Sequence, residues 1–485
     1  MNRTESSILR DAGVYAIARG IPAVLSFAAI AVLTRLLSPE VFGLYTLVMA
    51  GVGLSMGVAM GWLRAGLLRY WPTRSSDGAT VMEAIRTAFV AIGVVASIVA
   101  LAGSFLKSAA EYQALILLGL VLFWVHGWFE IERDLARVQL KPWRYGRLSL
   151  ARAAVFLPAA SFLAFIGWGG EGVILGSIAA CGCALLFNYR ARRRVVAPIG
   201  DQLATLRTIG SFGAPLAGSF VLWFAFSSMD RFMLAGLVGT QAVGLYSAGF
   251  DLIEQGLGLV MLAFYLAILP VTVRTLGARG AARTRQQLVA YFGVFSAIVL
   301  PAGFGVATLA PDIASVVLGE AYRDAAISIM PWAALGAFLI GYKLYYVDIA
   351  FLLAERTRLH MAAAAFAAVA NVGLNVLLIP TFGILGAAIA TVISAAAVLA
   401  LSWRLSRAVF GLPLPWGLIL RPLVASLGMA LALRLIGGVD GIAGLLLKIL
   451  VGVVIYFSLL LLPRFGLARL TEEDRLGGHA FRKAI

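Results

Sequence analysis

Charge is what this sequence has least of: Asp, Glu, Lys and Arg make up 13% of 485 residues, against 61% hydrophobic side chains and a mean hydropathy of +0.95. Soluble globular chains carry about 25% charged residues, so a water-soluble fold is excluded. Cysteine is almost absent. Cys181 and Cys183 share one apolar stretch, and His126, His360 and His479 lie far apart. Neither a disulfide framework nor a metal-ligand spacing exists, so no cofactor and no metal are expected, and Cys-x-Cys reads as two small residues packing a helix surface. The sequence has no Walker A motif and no inter-span loop large enough to fold as a separate domain, so ATP hydrolysis and an extramembrane catalytic module are excluded and the chain is not expected to be an enzyme. Acidic residues are short as well, 23 against 39 basic ones, which leaves +16. In a soluble protein that excess would point to nucleic acid. In so apolar a chain it points to basic loops on the cytoplasmic side of a membrane and to anionic lipid headgroups, with no nucleic-acid partner.

Long apolar runs are what the chain has in abundance. A helix needs about 20 mostly apolar residues to cross the hydrocarbon. Fourteen runs qualify: 14–34, 41–62, 85–106, 112–131, 148–168, 172–189, 209–229, 242–269, 286–310, 327–353, 359–379, 384–403, 417–436 and 443–462. Asp230, Arg231, Asp251 and Glu254 interrupt the pair around 209–269, the least regular of them. The first run follows a polar, Arg-bearing stretch without a small-residue cleavage site and reads as a retained helix. Assigning loops alternately to two sides, with the N-terminus inside, puts 31 of the 39 basic residues on one side. By the positive-inside rule both termini are cytoplasmic.

The sequence also repeats. Phe42-Gly43-Leu44-Tyr45 opens the second run and Val243-Gly244-Leu245-Tyr246 the eighth, with Pro22 matched by Pro215. Gly172-Val173-Ile174-Leu175-Gly176-Ser177-Ile178-Ala179 enters the sixth run and Gly383-Ile384-Leu385-Gly386-Ala387-Ala388-Ile389-Ala390 the twelfth. Spans one to six therefore correspond to seven to twelve, pointing the same way, which predicts two helical lobes related by an axis along the membrane normal with a cavity between them. The expected division is an N-lobe over 1–200, a C-lobe over 201–407, and two further spans with a tail over 408–485.

Three motifs in order carry a resemblance over essentially the whole chain: Ala31-Val32-Leu33-Thr34-Arg35-Leu36-Leu37-Ser38-Pro39-Glu40 running into Val41-Phe42-Gly43-Leu44-Tyr45; Asp230-Arg231-Phe232 followed by Val243-Gly244-Leu245-Tyr246-Ser247; and Asn371-Val372-Gly373-Leu374-Asn375 leading to Pro380 and Gly383-Ile384-Leu385-Gly386. They resemble bacterial polysaccharide biosynthesis flippases of the Wzx type, in the multidrug/oligosaccharidyl-lipid/polysaccharide exporter superfamily. The resemblance implies an all-α polytopic protein with two pseudo-symmetric six-helix lobes in a V shape plus two C-terminal helices. It implies alternating access that moves an undecaprenyl diphosphate-linked oligosaccharide across the bacterial inner membrane for exopolysaccharide, capsule or O-antigen (lipopolysaccharide) synthesis. A polymerase or glycosyltransferases of the same pathway are partners to be considered on the basic loops.

Against that expectation, charges within the spans are functional candidates, because a charge in the bilayer core costs about 2.5 to 3.5 kcal/mol even on insertion scales. Arg19 in the first span and Lys343 in the tenth, beside Tyr346, are candidates to bind a diphosphate. The competing readings are that Arg19 snorkels to the headgroups and Lys343 pairs with a carboxylate. Asp251 and Glu254, three apart on one helix face, and Asp348 are candidates for ion coupling or for an ion pair that locks one state. Asp230 and Arg231, with Arg35 or Asp312, are candidates for an outer gate or belong to a solvated turn. His126, Glu130, Arg133, Asp134 and Arg137 form a ladder at the inner end of the fourth span that is either an inner gate or a solvated helix end. Trp62, Trp71, Trp124 and Trp128 read as interface anchors, and Asn371 and Asn375 as interhelical hydrogen-bonding residues. Within the superfamily, a cation-coupled multidrug exporter would have about twelve spans and an acidic residue deep in the first span, where this chain has Arg19, whereas a lipid II flippase shares fourteen spans and a cationic cavity. A membrane polymerase or ligase would carry a long outer loop, which is missing here.

Overall fold

The computed structural model describes residues 3–71, 78–105, 112–189, 198–436 and 441–462, with the side chains of 3–19, 79 and 214–216 outside that description. The candidate Arg19 side chain and the repeat's Pro215 are among those left outside. Among the described residues every regular element is helical. Hydrocarbon offers backbone N–H and C=O groups no partners, so an apolar chain satisfies them within helices. In order these are α1 Arg3–Leu36, α2 Pro39–Tyr70, α3 Gly78–Ser104, α4 Gln113–Val138, α5 Pro142–Leu163, α6 Gly169–Phe187 and α7 Ile199–Leu237. They are followed by α8 Thr240–Thr308, α9 Ala310–Val317, α10 Arg323–Tyr342, α11 Ile349–Leu353, α12 Thr357–Phe410, α13 Trp416–Leu435 and α14 Gly441–Leu461.

Ten helical segments are long and apolar enough to cross a membrane, and the chain is a multi-pass membrane protein. Three of the ten are too long to be single crossings. At about 1.5 Å per residue, the 69 residues of α8 would extend roughly 100 Å, three times the hydrocarbon thickness. The helix departs from helical geometry at Gly280 (φ 75°) and returns on itself, so that the rings of Phe264 and Phe295 lie 6.2 Å apart. α12 turns at Gly383 and brings Asn371 back to Ser394, and α5 and α6 join through the π turn Ala164–Trp168. Counting each of these as two crossings and adding the apolar part of α1, the described helices supply fourteen membrane-crossing segments in register with the fourteen apolar runs.

The helices exceed the apolar runs at one set of ends. α2 continues to Tyr70 past Arg64, α4 to Val138 past Arg133 and Arg137, and α7 begins at Ile199. Charged residues at i, i+3 and i+4 favour helix and tolerate water, so nothing stops the helix where the hydrocarbon ends.

The chain divides into two compact units. Unit 1 is Met1–Ala235 with Gly239–Gly244, and unit 2 is Gly236–Val238 with Leu245–Ile485. The core of unit 1 packs Met60, Leu63 and Leu67 of α2 against Ile85 of α3, Leu122 and Leu135 of α4 and Ile209 of α7. A second cluster, Phe129, Tyr145, Leu148 and Cys181, joins α4, α5 and α6. In unit 2, α13 and α14 pack Met429, Leu433, Leu445 and Tyr456 against Leu309 beside α9. Asn371 donates to Ser394 Oγ across the Gly383 turn (3.2 Å), the interhelical bond expected of it, and accepts from Asn375 Nδ2 within its own segment (2.9 Å).

Glycines at and beside the repeat have similar structural uses. Gly169, opening α6 three residues before the repeat's Gly172, and Gly383, opening the second half of α12, adopt nearly the same backbone conformation, φ 50° and ψ −133° against φ 57° and ψ −128°, a region only glycine enters freely. The glycine of each Ile-Leu-Gly triplet then lies against the backbone of the preceding helical segment, Gly176 on Ala160 and Gly386 on Leu378.

Candidate functional site

The densest group of candidate residues lies in unit 2 where α10 gives way to α11. Between them the chain makes a π turn, Lys343–Val347, closed by Asp348 N–H donating to the Lys343 carbonyl (2.8 Å). In an α-helix, residues five apart face different directions. An i to i+5 bond stacks them instead, and Lys343 Nζ donates to Asp348 Oδ2 at 2.7 Å. Both side chains are buried, 6% and 8% exposed. His360, in the first turns of α12, brings Nδ1 to 3.5 Å from the same Oδ2, while Asp348 Oδ1 is buried without a hydrogen-bond partner.

Tyrosines surround this triad. Tyr346 is fully buried, donates its hydroxyl to the Pro413 carbonyl and packs tilted against Phe292, ring centroids 4.5 Å apart. Tyr342 donates to Ser296 Oγ (2.6 Å) and Tyr291 to the Tyr345 carbonyl (3.1 Å), which tie the π turn to α8. Tyr345 lies beside Tyr265, ring centroids 5.5 Å apart. Tyr345 is also in electrostatic reach of Glu254, and Tyr265 of Asp348. Glu254 is exposed and Asp251, on the same face of α8, half-buried. Lys343, Tyr346, Asp348 and Glu254 are therefore gathered along one tyrosine-lined stretch of unit 2. Chemically, the stretch offers a cation, carboxylates, an imidazole and phenols. It holds a proton-accepting carboxylate oxygen with nothing bound to it. Among the described residues no group of His, Cys, Asp or Glu side chains is arranged to hold a metal ion.

A family model described as polysaccharide biosynthesis protein matches residues 32–327, more than half of the chain. The chain belongs to that family. In this polysaccharide biosynthesis protein the match runs from α1 through the first turn of α10 and so takes in both halves of α8. Comparison with curated proteins by sequence gives no match. Solved structures show the same fold at low identity. A structure of the lipid II flippase MurJ in an inward closed conformation superposes with a TM-score of 0.73 and 14% identity, covering 92% of this chain and 97% of that one. An inward-facing multidrug resistance MATE family transporter of the MOP superfamily gives 0.60 and 15%, covering 82% and 98%. A MOP superfamily transporter from Pyrococcus furiosus, whose binding pocket is described as reversed in polarity, gives 0.57 and 15%, covering 83% and 95%.

The remaining candidates of the family member, Asp312 apart, lie in unit 1. Glu130 and Asp134 are buried, so the charged ladder of α4 is not a solvated helix end. Arg64 of α2 grips both carboxylates, Nη2 2.8 Å from Glu130 Oε2 and Nε 2.6 Å from Asp134 Oδ2. Arg133 Nη2 is 2.6 Å from the same Glu130 oxygen, and His126 Nε2 approaches the other at 3.6 Å. Sequence spacing within α4 found the ladder but not Arg64, which is 70 residues from Asp134 along the chain. Asp230 lies within α7, buried, accepting from the Arg231 amide (2.8 Å), and is no part of a solvated turn. Arg35 is exposed and donates to the Ala31 carbonyl one turn back. Asp312, a candidate gate partner, is engaged elsewhere: Lys448 Nζ of α14 donates to its Oδ1 at 2.6 Å. Lys448 is a buried residue of α14 whose charge is met by α9. His360 had no sequence signal at all, since its partner Asp348 is set by tertiary packing.

Proposed function

We propose that this chain is a flippase that carries undecaprenyl diphosphate-linked oligosaccharide repeat units across the bacterial inner membrane by alternating access, with both termini cytoplasmic. The buried Lys343–Asp348 pair, shared with His360 and set in a π turn, is the observation that carries the reading. A lysine and an aspartate taken together out of water are costly, and local strain of the π kind is frequent at functional sites. In this reading the pair is a switch. A diphosphate offers Lys343 a stronger anionic partner than one carboxylate. Asp348, released into an apolar wall, then takes up a proton or turns to His360. Arg19, whose side chain is outside the described residues, is a further candidate cation for a diphosphate. Glu254, within electrostatic reach of Tyr345, and Asp251 on the same helix face relay the coupling ion, while Arg35, Asp230 and Arg231 serve the outer gate and Glu130 and Arg133 the inner one. Polymerase or glycosyltransferases of the pathway are the partners that supply and consume the substrate.

The test is leaflet accessibility of defined undecaprenyl diphosphate sugars in proteoliposomes, with and without proton or Na⁺ gradients. Transport by the wild type and its loss in Lys343→Ala and Asp348→Asn are expected. Absence of movement for every lipid under every gradient overturns the reading. The near-complete overlap with the MurJ structure favours one second reading, lipid II as cargo, and inclusion of lipid II among the sugars separates the two.

A further inference from the structure

Among the described residues, the arginines that pack over the Phe129 ring include one that no carboxylate meets. Arg64 and Arg133 answer Glu130 and Asp134, and Arg144 Nη2 lies 2.6 Å from Glu132 Oε2. Arg152 of α5 is left over. Its guanidinium stacks 5.7 Å over the Phe129 ring, which Arg133 also covers at 5.8 Å, and its polar neighbour is the Cys181 thiol of α6. The Nε of Arg152 is buried without an acceptor, and so is that of Arg133. Both guanidinia cover the Phe129 ring, and Arg133 also stands 5.9 Å over Tyr145. Buried cations are normally paired. Unused, planar N–H donors on neighbouring guanidinia are the chemistry that recognises phosphate.

The depth fits a headgroup. Cys181 precedes the last residue of α6 by six positions, about 9 Å along the axis. That end of α6 exposes Leu186, Phe187 and Tyr189, as an apolar and aromatic surface at a membrane interface does.

We propose that Arg152 and Arg133 form a phosphate-binding site for a lipid headgroup on unit 1, with the Phe129 ring as its floor. The phosphate belongs either to an anionic membrane phospholipid or to a lipid-linked sugar diphosphate. The experiment is native mass spectrometry of the full chain in detergent with phosphatidylglycerol, undecaprenyl diphosphate or inorganic phosphate added, alongside thermal unfolding of each sample. Retention by the wild type is expected to fall at least tenfold in Arg152→Gln and to a lesser extent in Arg152→Lys, which keeps the charge and the fold but loses the planar fork. Retention of phosphatidylglycerol alone identifies the bulk phospholipid, and of undecaprenyl diphosphate alone the carrier lipid. Equal retention by the wild type and both variants overturns the proposal, as does stabilisation by inorganic phosphate that is the same in all three. Because the readout is retention and not transport, it fails or succeeds separately from the flippase reading.

Discussion

Gly43 and Gly244, 201 residues apart and alike in their repeated Gly-Leu-Tyr setting, pack backbone against backbone. A Cβ on Gly43 would collide with the Thr240 carbonyl, and one on Gly244 with the Pro39 carbonyl. Each glycine meets the residue four positions before the other, the reciprocity of a local two-fold axis. The internal repeat is thus visible as a contact between its own copies, both within unit 1. Close approach of this kind is how small residues hold membrane helices together.

Gly43→Ala and Gly244→Ala are each expected to lower stability by about 1 to 3 kcal/mol, since neither backbone can give way as a side chain would. Gly51→Ala and Gly53→Ala on the same helix, where an added Cβ meets nothing within 4 Å, serve as neutral controls. Thermal unfolding in detergent measures all four.

Removing one partner of the Lys343–Asp348 pair leaves a buried charge, at a cost of about 3 to 5 kcal/mol. Lys343→Met and Asp348→Leu singly are expected to reduce thermal stability sharply. The double variant is expected to regain most of it while transport stays lost. A double variant that transports normally would show the pair to be structural alone.

Arg64→Met takes from buried Asp134 the cation that grips it and leaves Glu130 to Arg133 and His126, and a loss of about 3 to 5 kcal/mol is expected by the same reasoning. Arg64→Lys recovers less than half of it, because an ammonium is a point charge and does not grip two carboxylates in a fork. Chemical denaturation in detergent reads both.

Asn371→Ala removes the donor to Ser394 and the acceptor of Asn375 together. Buried interhelical bonds in membranes average about 0.6 kcal/mol each and reach about 1.7, so a loss of about 1 to 2 kcal/mol is expected. Val369→Ala, exposed on the same helix, stays within about half a kcal/mol.

Much of this architecture was legible in the residue order. The apolar runs at 242–269 and 286–310 marked two crossings that the structure joins through the Gly280 bend, and Gly383 marked the turn between 359–379 and 384–403. Hydrophobic length is a local property, so it survives without knowledge of neighbours. The charged pairs were legible only in part. Lys343 and Asp348 stood out because charge in a span is costly, yet a 3.6-residue period places them apart, and the π turn that unites them has no signature in the sequence.

The sequence by itself determined that this is a fourteen-segment, internally repeated membrane protein, because solvent transfer and backbone hydrogen bonding act on each segment alone. Only the tertiary structure decided which charges are neutralised: Arg64 by Glu130 and Asp134, Lys448 by Asp312, Lys343 by Asp348 with His360 beside them, and Arg152 by no carboxylate among the described residues. In a low-dielectric interior the energy of a charge depends on what lies within a few ångströms, and those neighbours come from helices far away along the chain.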